Sequence, residues 1–196
     1  MKNVKITALT NGCICLIIAF VYYASFGQFG QTANAPVLKG VTGGENIALQ
    51  ITVTEKSDIN AYMDTLERAG AKGTFFFCEQ CGIDSGVIEQ IAQRSHGVGY
   101  YVCPKHKGRN TDMYIADGFS IPVMKYNDGD TVRHVAPSID LAKLKQRGDW
   151  PRVLEESVCK DMFIRIVADN VIWEFEKVVQ IVSDKGYTIL KINEML

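Results

Sequence analysis

Ala71-Lys72-Gly73-Thr74-Phe75-Phe76-Phe77-Cys78 is the stretch on which the fold turns. Gly73–Cys78 is a short apolar run opened by a glycine, which reads as a strand rather than a helix. Upstream, Asn46–Val53 (NIALQITV) is a β-branched run of the same kind. Between the two, Ile59, Tyr62, Met63 and Leu66 recur at helical spacing, with Ser57 or Asp58 placed to cap the start and Gly70 to end it. Downstream, Val87, Ile88, Ile91 and Ala92 mark a second helix and Gly97–Val102 a third strand. Strands joined by helices of this length imply βαβ units, parallel pairing and right-handed crossovers.

Further along, Phe119–Tyr126 reads as a strand that Pro122 pushes to an edge, and Asn127-Asp128-Gly129-Asp130 is turn chemistry. Helical pieces are expected at Leu141–Arg147 and Trp150–Val158, and a strand at Met162–Val167. Ile172, Phe175, Val178, Val179 and Val182 give an amphipathic helix stopped at Gly186, and Tyr187–Leu190 a last strand. No repeat or low-complexity linker interrupts residues 36–196, which read as one α/β domain.

The first 35 residues differ in kind. Lys2 and Lys5 precede a run from Ile6 to Phe26 without a charged residue, the arrangement of an export signal or an uncleaved anchor. Lysines on the N-terminal side place the rest of the chain outside the membrane. Ala33-Asn34-Ala35 resembles a cleavage site, but Pro36 follows it directly, which favours an anchor through residues 6–26. Across all 196 residues, 21 Lys+Arg stand against 22 Asp+Glu, a net charge of −1 that supplies no field for a phosphate backbone. Nucleic acid is therefore not an expected partner.

Three stretches resemble the NodB-type polysaccharide deacetylases, carbohydrate esterases built on a distorted (β/α) barrel. Ile47–Val53 is similar to the family's first strand, which ends in Asp-Asp. Ala71–Phe77 is similar to its Lys-Ala-Thr-Phe-Phe strand, and His96-Gly97-Val98-Gly99 to its His-Glu-Ile-Gly. The resemblance implies a truncated barrel of that type, because residues 106–118 are too few for the family's usual helix and Arg-x-Pro motif. It also implies a divalent metal held by one Asp and two His, with a second Asp as general base and a late His as general acid.

Each of those positions departs from the pattern. The aspartates fall on Thr52 and Val53, and the histidines on Tyr101 and Lys105. The late Leu-His-Asp falls on Val167-Ala168-Asp169, which keeps Asp169 alone. The expectation is a fold without its reaction, with cell-wall or envelope glycan as partner and a binding or scaffold role. An active metal-dependent N-deacetylase with an atypical site is the alternative within the family.

The cysteines carry a separate signal. Cys78-x-x-Cys81 and Cys103-x-x-His106 read together as C-x2-C-x21-C-x2-H, the pairing of a closed, structural zinc site. Both halves follow neighbouring strands, so parallel pairing would bring them to one face of the sheet. Cys78 and Cys81 after a strand also resemble a thioredoxin-like thiol–disulfide pair, with Ser120-Ile121-Pro122 in the place of its cis-proline hairpin. A plain disulfide or inert thiols is the third reading, and Cys159 reads as a packed thiol. His96 reads as a loop histidine and His134 shows no partner. Tyr100, Tyr101 and Trp150 are aromatics that could stack on a sugar or fill a core.

Overall fold

In the computed structural model, residues 36–79, 81–82, 84–101, 113–116, 119–122, 124–128, 131–169 and 171–196 are described. The expected anchor, with Cys103, Lys105 and His106, lies outside them. Among the described residues, no helix is long and apolar enough to cross a membrane.

β1 (Asn46–Val53), α1 (Ile59–Arg68), β2 (Thr74–Cys78), α2 (Ser85–Gln93) and β3 (Gly97–Tyr101) follow in the order the sequence suggests. Asp58 is the cap of α1, its carboxylate accepting from the Ala61 N–H at 3.2 Å. Gly70, at φ +65°, turns the chain out of that helix in a conformation that favours glycine. A hairpin of β4 (Met113–Ala116) and β5 (Phe119–Pro122) comes next, then an antiparallel pair, β6 (Met124–Asp128) and β7 (Thr131–Val135). The last third is β8 (Ile139–Asp140), α3 (Leu141–Lys145), α4 (Trp150–Ser157), β9 (Phe163–Ala168), α5 (Ile172–Asp184), β10 (Thr188–Leu190) and a 3-10 turn at Ile192–Glu194.

The expected single strand over Phe119–Tyr126 is therefore two strands in two sheets. Among the described residues β5 pairs only with β4, whereas β6 pairs with β3 in the main sheet. Pro122, which cannot donate to a ladder, stands at the end of β5 where the first pairing stops.

The main sheet runs β7-β6-β3-β2-β1-β9-β8. Its centre is parallel: β1 pairs β9 from Ala48 to Val53, and β2 pairs both β1 and β3. β10 shares one edge of β1 with β2, taking Asn46–Ala48 while β2 takes Gln50–Thr52. The two outermost strands, β7 and β8, are consecutive in the chain, joined by Ala136-Pro137-Ser138. A strap over residues 37–41 ties the same region together. Val37 N–H donates to His134 O at 2.8 Å, Gly40 N–H to Asp161 O at 2.8 Å and Val41 N–H to Met195 O at 3.0 Å. Val135 of β7 shares one apolar cluster with Ala48 of β1, Phe76 of β2 and Phe163 of β9, so the sheet wraps around an interior.

Strand alternation then divides the residues into two layers. Outward go Ile47, Leu49, Ile51, Val53, Phe75, Phe77, Ile164, Ile166 and Ala168, packed under α1 to α5 against residues such as Met63, Leu66, Trp150, Leu154, Phe175 and Val178. Inward go Ala48, Gln50, Thr52, Thr74, Phe76, Cys78, Phe163 and Arg165. β3 offers bare Gly97 and Gly99 to that side. A methyl group on Gly99 would meet Phe76 Cε1 at 2.5 Å and Lys125 O at 2.9 Å, so Phe76 can fill the interior only opposite a glycine.

His96 lies in the loop between α2 and β3, as expected, and it is buried there. Its Nδ1 accepts from the Gly73 N–H at 3.2 Å, and its ring stands edge-on to Phe75.

Candidate functional site

The parallel strands β1, β2, β3 and β9 end at one rim, and the sequence-assigned positions lie on or near it. Thr52, the last inward residue of β1, is buried. Its hydroxyl accepts from Arg165 Nε of β9 at 3.1 Å, and Arg165 Nη1 reaches Asp140 Oδ2 of β8 at 2.9 Å. Arg165 and Asp140 keep 14% and 7% of their side-chain surface exposed, so this ion pair is largely dehydrated. Register explains the meeting: Gln50 stands opposite Arg165, Arg165 opposite Asp140, and Gln50 opposite Thr74. The result is a polar layer across four strands of an otherwise apolar interior. Gln50 is fully buried within it, and among the described residues neither its Nε2 nor its Oε1 has a hydrogen-bond partner.

Val53 points the other way, into the helix-covered layer. Tyr101, at the end of β3, donates its hydroxyl to Val53 O at 3.2 Å and so spans the rim from β3 to β1. Ala168 is buried in the outer layer, and its carbonyl accepts from both Thr54 Oγ1, at 2.9 Å, and Ser57 Oγ. Asp169, the acidic residue retained after β9, is exposed. Burial pushes the Tyr62 hydroxyl up to about 12, assisted by the Asp169 and Glu174 carboxylates.

The divalent metal that the resemblance implies does not fit these residues. Thr52 offers a hydroxyl already engaged by a guanidinium, Val53 offers no donor, and the Tyr101 phenol is spent on a backbone carbonyl. A fixed cation, Arg165, stands beside the first of these positions, where a second cation would be repelled. Ala168 holds no acid for a leaving group. Among the described residues, no group of three or more His, Cys, Asp or Glu is placed to hold a metal ion.

Of the expected cysteine and histidine quartet, Cys78 and Cys81 lie among the described residues. Cys78 closes β2 on the inward side and is buried; Cys81 is exposed in the following turn, its N–H donating to Cys78 O at 3.2 Å. The two sulfurs are 2.6 Å apart. The thioredoxin-like reading fits the fold poorly. α2 starts at Ser85, beyond both cysteines, so no helix begins on the pair. Pro122 lies in the β4–β5 hairpin rather than beside β2. Cys159 is partly exposed, not fully packed, and precedes β9 at the opposite end of the strands.

Among the sugar-stacking candidates, Trp150 is buried under the sheet and Tyr100 packs on the same core. A further aromatic, Trp173, is exposed. It lies in the first turn of α5, with 59% of its surface exposed. Side chains in a helix lean toward its N-terminus, which here is the end that follows the β9 rim. Its signal was legible: position 173 falls off the apolar stripe of Ile172, Phe175, Val178, Val179 and Val182.

No protein-family model matches the chain, and no curated protein matches it. Solved structures do. A CE4 family pseudoenzyme from Bacillus anthracis, BA3943, matches with a TM-score of 0.59 at 13% identity, over 83% of this chain and 69% of its own. The Bc1960 peptidoglycan N-acetylglucosamine deacetylase matches at 0.60 and 12%, over 90% and 96%. The chitin deacetylase of the fungal pathogen Colletotrichum lindemuthianum matches at 0.58 and 14%, over 83% and 91%. The fold is thus that of the NodB-type polysaccharide deacetylases.

Proposed function

We propose that this chain is a non-hydrolytic version of the deacetylase barrel, which binds an N-acetylated cell-wall or envelope glycan at the rim and does not cleave it. The observation that carries the reading is the Thr52–Arg165–Asp140 network. It puts a hydroxyl and a protein cation where the resemblance implies a carboxylate and a metal. Among the described residues at these positions the carboxylates are Asp140, which is engaged by Arg165, and exposed Asp169, and neither stands where the resemblance implies the group that takes a proton from water.

Glycan as the ligand is supported by the neighbours: one acts on peptidoglycan, another on chitin, and a third is a pseudoenzyme. What the chain itself contributes is shape and hydrogen bonding. Trp173 offers an exposed flat apolar surface beside the rim, the kind of face on which the C–H side of a pyranose packs. The hydroxyls of Thr54 and Ser57 fix the loop after β1 through Ala168 O, so the rim is held before any ligand arrives. Delivery outside the cell, and tethering through residues 6–26, belong to the same proposal and rest on the sequence of the first 35 residues.

The test is co-sedimentation of the full chain, in detergent, with N-acetylated peptidoglycan and with chitin. Retention with either polymer, reversed by soluble oligosaccharide, is the expected result. No retention with any N-acetylated polymer would overturn the glycan reading.

A further inference from the structure

We propose that Cys78 and Cys81 form a reversible disulfide modification site on the rim, with a small-molecule or protein disulfide as its co-reactant. The proposal is independent of the glycan reading and rests on four observations. The spacing is C-x-x-C, and the intervening turn is closed by the Cys81 N–H on Cys78 O at 3.2 Å. The sulfurs are already in contact, at 2.6 Å. Their environments are unequal: Cys81 is exposed and can meet an incoming reagent, whereas Cys78 is buried behind it. Finally, Cys159, the other cysteine among the described residues, lies at the other end of the strands.

The chemistry balances in two exchange steps. The Cys81 thiolate attacks one sulfur of a disulfide RS–SR, forming a mixed disulfide and releasing one RS–. The Cys78 thiolate then attacks Cys81 Sγ, forming the Cys78–Cys81 bond and releasing the second RS–. The two thiol protons end on the two RSH, and the two electrons lost by the cysteines reduce RS–SR. A dithiol reductant reverses the sequence.

Position gives the bond a consequence. Cys78 is opposite Tyr101 in the β2–β3 ladder, and the next residue, Glu79, donates its N–H to Tyr101 O at 2.9 Å. Tyr101 in turn holds Val53 O of β1. Closing the turn covalently therefore pins the loop after β2 directly beside the one side-chain contact described between β1 and β3 at the rim. Because α2 begins only at Ser85, the pair is not seated on a helix start and is read here as a modified site, not as a catalytic shuttle.

The experiment equilibrates the full chain with graded ratios of reduced and oxidised glutathione, quenches in acid, alkylates and maps the labelled peptides. The expected result is loss of alkylation at Cys78 and Cys81 together, restored by dithiothreitol. Cys81→Ser, a change at an exposed turn position, should leave Cys78 alkylatable at every ratio. Cys78→Ser should accumulate a glutathione adduct on Cys81. Three results would overturn the proposal: both thiols still alkylated at the most oxidising ratio, either sulfur paired with Cys103 or Cys159, or a purified chain whose two cysteines are shielded by about one zinc per chain.

Discussion

Arg165 Nε lies 3.1 Å from Thr52 Oγ1, joining β9 to β1 across 113 residues of chain. The same guanidinium reaches Asp140 of β8, so a single side chain laces three parallel strands at the level where the resemblance implies a metal. A buried ion pair of this kind is weak evidence for stability as such, but breaking it leaves an uncompensated charge. The site is thus committed to arginine.

The first expectation concerns that pair. Asp140→Asn should destabilise the fold by about 3 kcal/mol, while keeping the side-chain oxygen that caps α3 through the Ala142 N–H. Adding Arg165→Met should recover most of the loss, since no buried charge then remains. Urea unfolding of the single and double variants checks both. An additive double variant, worse than either single one, would mean that the pair is not the source of the loss.

Gln50 gives a second. A buried carboxamide with neither atom partnered among the described residues opposes folding. Gln50→Met, close in volume, should raise stability by about 1–2 kcal/mol. A loss instead would show that Gln50 holds ordered water in the polar layer.

His96 sets a third, in pH. Burial lowers its pKa below the ordinary histidine value; the Glu67 carboxylate pulls it back up, while Arg94, Lys72 and Lys191 press it further down. The unfolded chain therefore takes up the proton first. The neutral ring's contribution is complete above the ordinary value of about 6.5 and is lost as pH falls through the lower folded value. The denaturation midpoint should drop between about pH 7.5 and 5.5 more in the parent chain than in His96→Gln. Equal slopes for the two proteins would count against the assignment.

Trp173 supplies a fourth. Trp173→Ala removes a side chain with 59% of its surface exposed, so the unfolding free energy should stay within about 0.5 kcal/mol of the parent. Retention on N-acetylated glycan should fall by about tenfold, the worth of a good aromatic contact. Unchanged retention would move the binding surface elsewhere on the rim.

Much of the fold could be read along the chain because its signals are local. The Asp58 cap, the exit at Gly70 and the Phe75–Phe77 strand each depend on residues within a turn or two. The resemblance named the right fold from the same short stretches. What stayed hidden depends on register between distant strands. Along the chain Thr52 shows only a departure from the family's Asp-Asp, until β9 places Arg165 beside it, and nothing local marks Gln50 before Asp140, Arg165 and Thr74 form a layer with it. The split of Phe119–Tyr126 was equally invisible, since only the partner strands show that β5 and β6 serve different sheets. Trp173 is the exception, since its place off the apolar stripe is legible in the sequence alone.

The most direct test of the central claim is acetate release from N-acetylated chitooligosaccharide and peptidoglycan by the full chain, with added zinc or cobalt and with a chelator. The expected result is no release above the protein-free blank under any of these conditions, from a preparation that still binds the glycan. Release that rises with added metal and disappears with the chelator would contradict it, and would mean that a hydrolytic site is assembled despite Thr52 and Arg165.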